Sequence, residues 1–255
     1  MNELASTLSA THLDEFKLRP VLISGSPSEI IHAVGQIRTA TGMLADEYAF
    51  APPASNRWYP GSLGTHHERV IIQSRTHFPV LPESLGMSRP LLDLTIALHD
   101  IGKRTSITAL ETYAKRDAQK TYTLRLIESV RDDLPIEGPA YNRMRAVIST
   151  SAHGELFQGE ISPSQAAANI RKGAHLANMQ PRAFLRLMTT FNQADVAAYT
   201  VPGGGPARLD HVFTPGPNGA FIRDRTDTRL LYSPRNEAKF AKLEQALDSY
   251  GQRRR

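Results

Sequence analysis

Hydrophobic residues recur along most of this chain at the three- and four-residue spacing of amphipathic helices. Together with capping and proline signals, this spacing predicts helices over residues 26–44, 90–101, 109–130, 141–152, 162–177, 181–200 and 236–250, and a further helix that begins near Thr65. Two short segments, Ala220–Arg223 and Arg229–Tyr232, are the candidate strands of a β-hairpin. The pattern therefore favours a protein built mainly from helices.

Breaks rich in proline and glycine divide the chain into three predicted parts. Residues 50–64 contain several prolines, and residues 201–206 read Val-Pro-Gly-Gly-Gly-Pro. We expect an N-terminal extension with one helix over residues 1–59 and a helical domain over residues 60–202. A C-terminal extension over residues 203–255 would contain a loop, the possible hairpin and a helix.

Length and composition fit an enzyme-sized protein without specifying one. The chain has 255 residues, of which 40% are hydrophobic, so it can bury one sizeable core. No uninterrupted apolar run approaches the length that crosses a bilayer, and the N-terminus lacks a secretory signal, so we expect no membrane association and a cytoplasmic location. Export by a route without such a signal is the alternative. The absence of cysteine excludes disulfides and thiolate metal sites.

The net charge of +5 favours anionic partners such as nucleotides, nucleic acid or acidic surfaces. Support for nucleic acid is weak, because basic and aromatic residues do not alternate as they do in proteins that bind single strands. A solvated, mildly basic surface is the simpler explanation of the same charge.

The chemistry of the chain is suggested by two carboxylates, because Asp100 and Asp195 both fall on apolar faces of predicted helices. An ionised carboxylate in a core is unfavourable unless it is paired or bound to a metal ion. Imidazoles complete the pattern: His99 precedes Asp100, and a predicted capping box with Thr65 as N-cap places His66 in the first turn of its helix. Mixed nitrogen and oxygen ligands suit a divalent transition ion. Any one of these residues is also compatible with a satisfied structural role.

Three sequence blocks together resemble the H...HD...D signature of the HD-domain superfamily of metal-dependent phosphohydrolases. The blocks are Thr-His-His-Glu-Arg-Val at 65–70, Leu-His-Asp-Ile-Gly-Lys at 98–103 and Gln-Ala-Asp-Val-Ala at 193–197. The resemblance covers roughly residues 60–200 and, through the distance to Val70, selects His66 over His67. It implies an all-α fold of the HD-domain bundle type and a buried metal site formed by His66, His99, Asp100 and Asp195.

The resemblance also implies hydrolysis of a phosphate ester, and the candidate catalytic residues are Asp100, Lys103 and His153. Lys103 would neutralise phosphate charge, although lysine also suits the C-terminal end of a helix. His153 precedes Gly154 at a predicted helix end, where it would either cap the helix or face the substrate. Because His153 and His175 lack the surroundings of second-metal ligands, we expect one divalent ion per chain. Mn, Co, Ni, Mg, Fe and Zn are not distinguished.

Three functions of different classes follow from these features. The leading one is a phosphohydrolase that acts on a small phosphorylated substrate, a nucleotide or a related molecule, as a phosphomonoesterase or phosphodiesterase. The first alternative is a nucleotide-binding module that retains affinity without turnover. The second is a di-iron oxygenase of the same broad fold, against which the missing second-metal histidines weigh. The identity of the substrate, cyclic or linear, and the oligomeric state do not follow from the sequence.

Overall fold

The computed structural model describes residues 18–40, 42–51, 61–81, 85–110, 116–207, 209–217, 220–224 and 229–252. The chain divides into two compact units, the first made of Met1–Ile71 and Arg89–Gly138 and the second of Ile72–Ser88 and Pro139–Arg255. Helices predominate in the described residues of both units, which confirms the predicted all-α fold class. The three-part division at residues 59 and 202 stays a prediction.

The first unit contains seven α-helices, one short 3-10 helix (Arg131–Asp133) and one small antiparallel sheet among its described residues. They are α1 (residues 18–24), α2 (Pro27–Gly35), β1 (Arg38–Thr39), β2 (Gly42–Met43), α3 (Leu44–Tyr48), α4 (Leu63–His77, shared with the second unit from Ile72), α5 (Arg89–Leu98), α6 (Lys103–Leu110) and α7 (Arg116–Ser129). In this unit α2 packs on α3 and α5, and α6 packs on α3 and α7.

The predicted helix over residues 26–44 is correct at its start and wrong at its end. Ser26 caps α2 as expected, because its Oγ accepts from the Glu29 amide at 3.3 Å while its own amide donates to the Glu29 carboxylate at 2.7 Å. After Gly35 the chain forms the β1–β2 pair instead of a longer helix, with Arg38 opposite Met43. Gly42 has a φ of +155°, a conformation that residues with side chains rarely adopt, and this turn interrupts the helical run.

The helix that carries the first histidine begins earlier than the sequence predicts. Ser62, and not Thr65, caps α4, since the Thr65 amide donates to the Ser62 Oγ at 3.3 Å. The prediction of Thr65 as the N-cap is therefore wrong, and the reason is that an equivalent hydroxyl stands three residues earlier. His66 still lies at the end of the first turn, because its amide donates to the Ser62 carbonyl at 3.1 Å.

The block that contains the His-Asp pair is a turn between two helices. The predicted helix over residues 90–101 stops at Leu98, and α6 begins at Lys103. The Lys103 amide donates to the Asp100 carbonyl at 2.9 Å and closes the turn. The predicted helix over residues 109–130 is represented by the end of α6 and by α7, while residues 111–115 lie outside the described part of the chain.

In the described part of the second unit, the core lies between five α-helices. Besides the end of α4, these are α8 (Gly138–Ser149), α9 (Ala152–Gln158), α10 (Pro163–Leu176), α11 (Pro181–Ala197) and α12 (Pro234–Gln252). The helix α10 packs against α9, α11 and α12. The predicted apolar stripe of α11 is buried as expected, through Phe184, Leu187, Met188, Phe191 and Ala198.

The C-terminal region of the second unit contains paired extended segments and an amphipathic helix. Antiparallel bridges join Phe213 to Tyr232, Pro215 to Phe221 and Arg223 to Leu230. The expected hairpin thus takes the form of isolated bridges, and its turn at residues 225–228 lies outside the described residues. The predicted apolar side of α12, formed by Phe240, Leu243 and Leu247, is buried. Among the helices of the described residues, none combines the length and the apolar character that a membrane crossing requires.

The cap of α10 offers a test of the local structure. The Ser162 Oγ accepts from the Gln165 amide at 3.2 Å, and the Ser162 amide donates to Gln165 Oε1 at 2.9 Å. We expect Ser162→Ala to lower the free energy of unfolding by about 1 kcal/mol, because it leaves a helix N–H group without its acceptor. Urea unfolding measures this change. Ser164→Ala, on an exposed residue of the same turn, is the matched control, and an equal loss in both variants would contradict the assigned cap.

Candidate metal centre

Two adjacent histidines on α4 enter the core of the first unit. His66 is 4% exposed and His67 is 0% exposed. His67 lies near the start of α4, where an exposed position would be the ordinary expectation, yet its side chain is fully buried. The two ring centroids lie 5.7 Å apart, so both imidazoles belong to one cluster.

His99 joins this cluster from the end of α5. Its Nδ1 lies 2.6 Å from the carbonyl oxygen of Ile96. A carbonyl can only accept a hydrogen bond, so Nδ1 carries the proton, and the neutral ring then has its lone pair on Nε2. Histidines that bind metal ions typically donate their other ring N–H to a carbonyl or carboxylate in this way. The local structure thus presents His99 in the tautomer that a metal ligand needs.

The imidazoles of His66 and His99 are close enough to share an ion. Their ring centroids are 5.7 Å apart, and one ring nitrogen of each lies within 4.8 Å of the other. Two nitrogens bound to one ion at about 2.0–2.1 Å each are at most about 4.2 Å apart, so small side-chain rotations suffice. This pair could hold a metal ion, and nothing in its geometry selects which one.

His67 contacts the His99 ring, Tyr48 contacts His67 and the end of α5, and neither contact was predicted from the sequence. The Tyr48 hydroxyl donates to the carbonyl of Ala97 at 2.7 Å, and burial raises the pKa of this hydroxyl above its usual range. The His67 ring lies 5.6 Å from the Tyr48 ring, edge to face, and 4.5 Å from the His99 ring. Side chains thus satisfy the last carbonyls of α5 at both Ile96 and Ala97.

The carboxylate of Asp100 contacts a cation and an amide. Its Oδ2 lies 3.5 Å from the Lys103 Nζ, and its Oδ1 accepts from the Gln119 Nε2 at 2.7 Å. Lys103 is the first residue of α6, so the interpretation that places it at a helix C-terminus is wrong. The role of Asp100 as a metal ligand stays a prediction.

A second carboxylate, from α3, contacts the start of α6. Glu47 on α3 is 7% exposed, and its Oε1 accepts from the Thr105 hydroxyl at 2.7 Å. Burial raises the pKa of this carboxyl, and the hydrogen bond from Thr105 and the charge of Arg104 oppose the rise. Among the described residues its Oε2 has no hydrogen-bond partner. Glu47 was not predicted from the sequence, since it stands outside the three recognised blocks.

Asp195 and His153 belong to the second unit. Asp195 lies near the end of α11 and is half-buried. His153 is the second residue of α9, so the predicted helix end at this position is wrong. The predicted helix over residues 141–152 corresponds to α8, which ends at Ser149, and the separate helix α9 runs through Gly154 to Gln158 and is followed by Gly159, with a φ of +81°.

His153 is a core residue of its unit, with 1% of its surface exposed. Its Nε2 lies 3.0 Å from the Thr189 Oγ1, and that hydroxyl donates to the Leu185 carbonyl at 2.9 Å. Nε2 is therefore the donor. Burial lowers the pKa of His153 to about 4, which keeps the ring neutral. These facts favour a structural role over contact with a substrate.

A scan against protein-family models, a search of curated proteins and a search of solved structures each found no match to this chain. The resemblance to the HD-domain superfamily accordingly stays a prediction from the three sequence blocks. The chemistry of the site has to follow from its own residues.

The burial of His153 predicts a loss of stability in acid. As pH decreases from about 6.5 to about 4, the unfolded chain binds a proton at this ring that the folded chain does not, so the free energy of unfolding falls. The loss approaches roughly 3 kcal/mol for this one group. We expect His153→Gln to flatten this part of a urea-unfolding series over pH, whereas the exposed control His175→Gln keeps the wild-type slope. Equal slopes in all three proteins would contradict the assignment.

Proposed function

We propose that this chain is a metal-dependent phosphohydrolase that cleaves a phosphate ester of a nucleotide or a related small molecule. One observation carries the proposal: the Ile96 carbonyl holds His99 in the tautomer of a metal ligand, within reach of the buried His66. Buried imidazoles of structural type need only hydrogen bonds, whereas a ring oriented in this way beside a second imidazole suits a shared cation.

The proposed nitrogen ligands are His66 and His99, whose ring nitrogens lie within mutual reach, and the proposed carboxylate ligands are Asp100 and Asp195. Asp195 belongs to the second unit, and its place in the set rests on the order of the sequence blocks and on the chemistry of a mixed nitrogen and oxygen shell. One divalent ion per chain is proposed. When bound, such an ion polarises a phosphate oxygen and lowers the pKa of its water toward neutrality.

Lys103 supplies the positive charge for the substrate in this proposal. Its side chain is only 11% exposed, and its ammonium group lies beside the Asp100 carboxylate. A phosphate that approaches this position exchanges one anionic partner of the lysine for another, so the charge of the lysine remains balanced throughout. His153 is not part of the proposed machinery, because its ring is buried in the second unit and bonded to Thr189.

The function is tested by elemental analysis of the purified chain and by a screen of nucleotides and cyclic nucleotides with Mn, Co, Ni, Mg, Fe and Zn. We expect about one ion per chain and metal-dependent release of phosphate or of a hydrolysed product. His99→Ala should lose both metal and turnover, while the exposed control His175→Ala keeps both. Metal without any turnover would indicate a binding module, and two iron ions per chain with a need for dioxygen would indicate an oxygenase.

Lys103→Ala separates binding of the metal from binding of the phosphate. We expect this variant to keep its metal and to lose about 10²-fold in turnover, because the group that neutralises phosphate charge is missing. Lys103→Arg, which keeps the charge, should recover part of the rate. Metal content and steady-state kinetics measured together provide the test. Loss of the metal in Lys103→Ala would mean that the lysine supports the fold of the turn and not the substrate.

A further inference from the structure

One face of α7 holds the turn that carries the His-Asp pair. Gln119 and Thr123 stand four residues apart on this helix, and hence on one side of it. The Gln119 Nε2 donates to the Asp100 Oδ1 at 2.7 Å, and the Thr123 Oγ1 accepts from the Gly102 amide at 3.1 Å. The turn is thus bonded to α7 twice, through the side chain of Asp100 and through the backbone of Gly102.

The backbone of the turn is pressed directly against α7. A Cβ atom at Gly102 would lie 2.2 Å from the Thr123 amide nitrogen, so only glycine fits at this position. Thr123 is fully buried. Since the turn cannot shift along the helix without breaking this contact, the position of Gln119 relative to Asp100 is fixed by packing and not by the flexibility of either side chain.

We propose that Gln119 is a positioning residue for Asp100: its amide orients the carboxylate for the metal centre. This inference rests on the proposed function. A glutamine is suited to the task because its amide is a directional donor without charge, so it fixes one oxygen of Asp100 and leaves the negative charge of the carboxylate intact. With Oδ1 held by Gln119, Oδ2 is the oxygen that faces cations, and Lys103 is the cation beside it.

The expected effect is a change in metal affinity. Partners that orient metal ligands typically contribute about 10- to 100-fold to the affinity for the ion. Gln119→Met keeps the length of the side chain and removes the donor, so it should raise the Kd for Co²⁺ by about this factor. Gln119→Asn retains a shorter amide and should lose less. Thr121→Ala, on an exposed residue of the same helix, is the matched control and should keep the wild-type Kd.

A double-mutant cycle separates positioning from a general effect on the fold. If Gln119 acts through Asp100, Gln119→Met should have no further effect on the Co²⁺ Kd in an Asp100→Ala background. The melting temperature of the metal-free variants provides the second readout, and it should match that of Thr121→Ala.

The experiment is a titration of the full chain with Co²⁺, followed through the visible absorbance of the bound ion. An unchanged Kd in Gln119→Met would overturn this inference and leave the proposed function standing. Additive effects of the two substitutions on the Co²⁺ Kd would have the same meaning. A wild-type chain that binds no Co²⁺, Mn²⁺ or Zn²⁺ would overturn the proposed function, and the inference with it. If Gln119→Met does not fold, Gln119→Leu, which also removes the donor, takes its place, and an unchanged Kd there has the same meaning.

Discussion

The hydrogen bond from His99 to the Ile96 carbonyl links the end of a helix to the chemistry of the first unit. A helix leaves its last carbonyls without intrahelical partners, and here the imidazole of the next residue satisfies one of them at 2.6 Å. The same bond that ends α5 therefore sets the proton position on the ring. Because the partner lies only three residues earlier, this arrangement needs no distant contact, and it places His99 at the edge of the buried imidazole cluster.

The remaining contacts of the centre depend on tertiary packing. Tyr48 satisfies the neighbouring carbonyl of Ala97 from a helix 49 residues away, and Gln119 holds Asp100 from a helix 19 residues away. Glu47 reaches the start of α6 through Thr105. Each of these side chains bonds to an element that flanks the turn, so the turn is restrained from several directions. A turn held in this way keeps its side chains in place with little reorganisation when an ion or a substrate binds.

The sequence predicted those features that depend on near neighbours. The apolar stripe of α11, the helix start at Ser26 and the capping box at Ser162 follow from spacing alone, and the structure has them. Errors arose where two residues could serve equally. Ser62 and Thr65 both offer a hydroxyl, and Gly154 and Gly159 both offer a glycine, of which Gly154 lies inside α9 and Gly159 follows it.

The contacts that the sequence did not predict involve residues of ordinary type in ordinary positions. Gln119 is one polar residue among many in a predicted helix, and nothing in its neighbours along the chain indicates that it faces Asp100. Glu47 is equally inconspicuous, since an acidic residue in a short polar stretch normally faces solvent. Their roles come from the packing of α3, α6 and α7, which a single sequence does not encode in any local pattern.

The carboxylates prove to be weaker evidence for a metal than the imidazoles. Asp93 is fully buried on α5, yet the Arg89 guanidinium lies 3.9 Å away, one turn earlier on the same helix. Asp100 likewise has Lys103 and Gln119 beside it. A buried carboxylate can thus be accommodated by local donors without any ion. The buried His66 and the half-buried His99 instead bring two ring nitrogens within 4.8 Å of one another, and the His99 Nδ1 is fixed as a donor to a carbonyl. The proposal of a metal site therefore depends mainly on the imidazole nitrogens of His66 and His99, and the proposed carboxylate ligands would contribute negative charge.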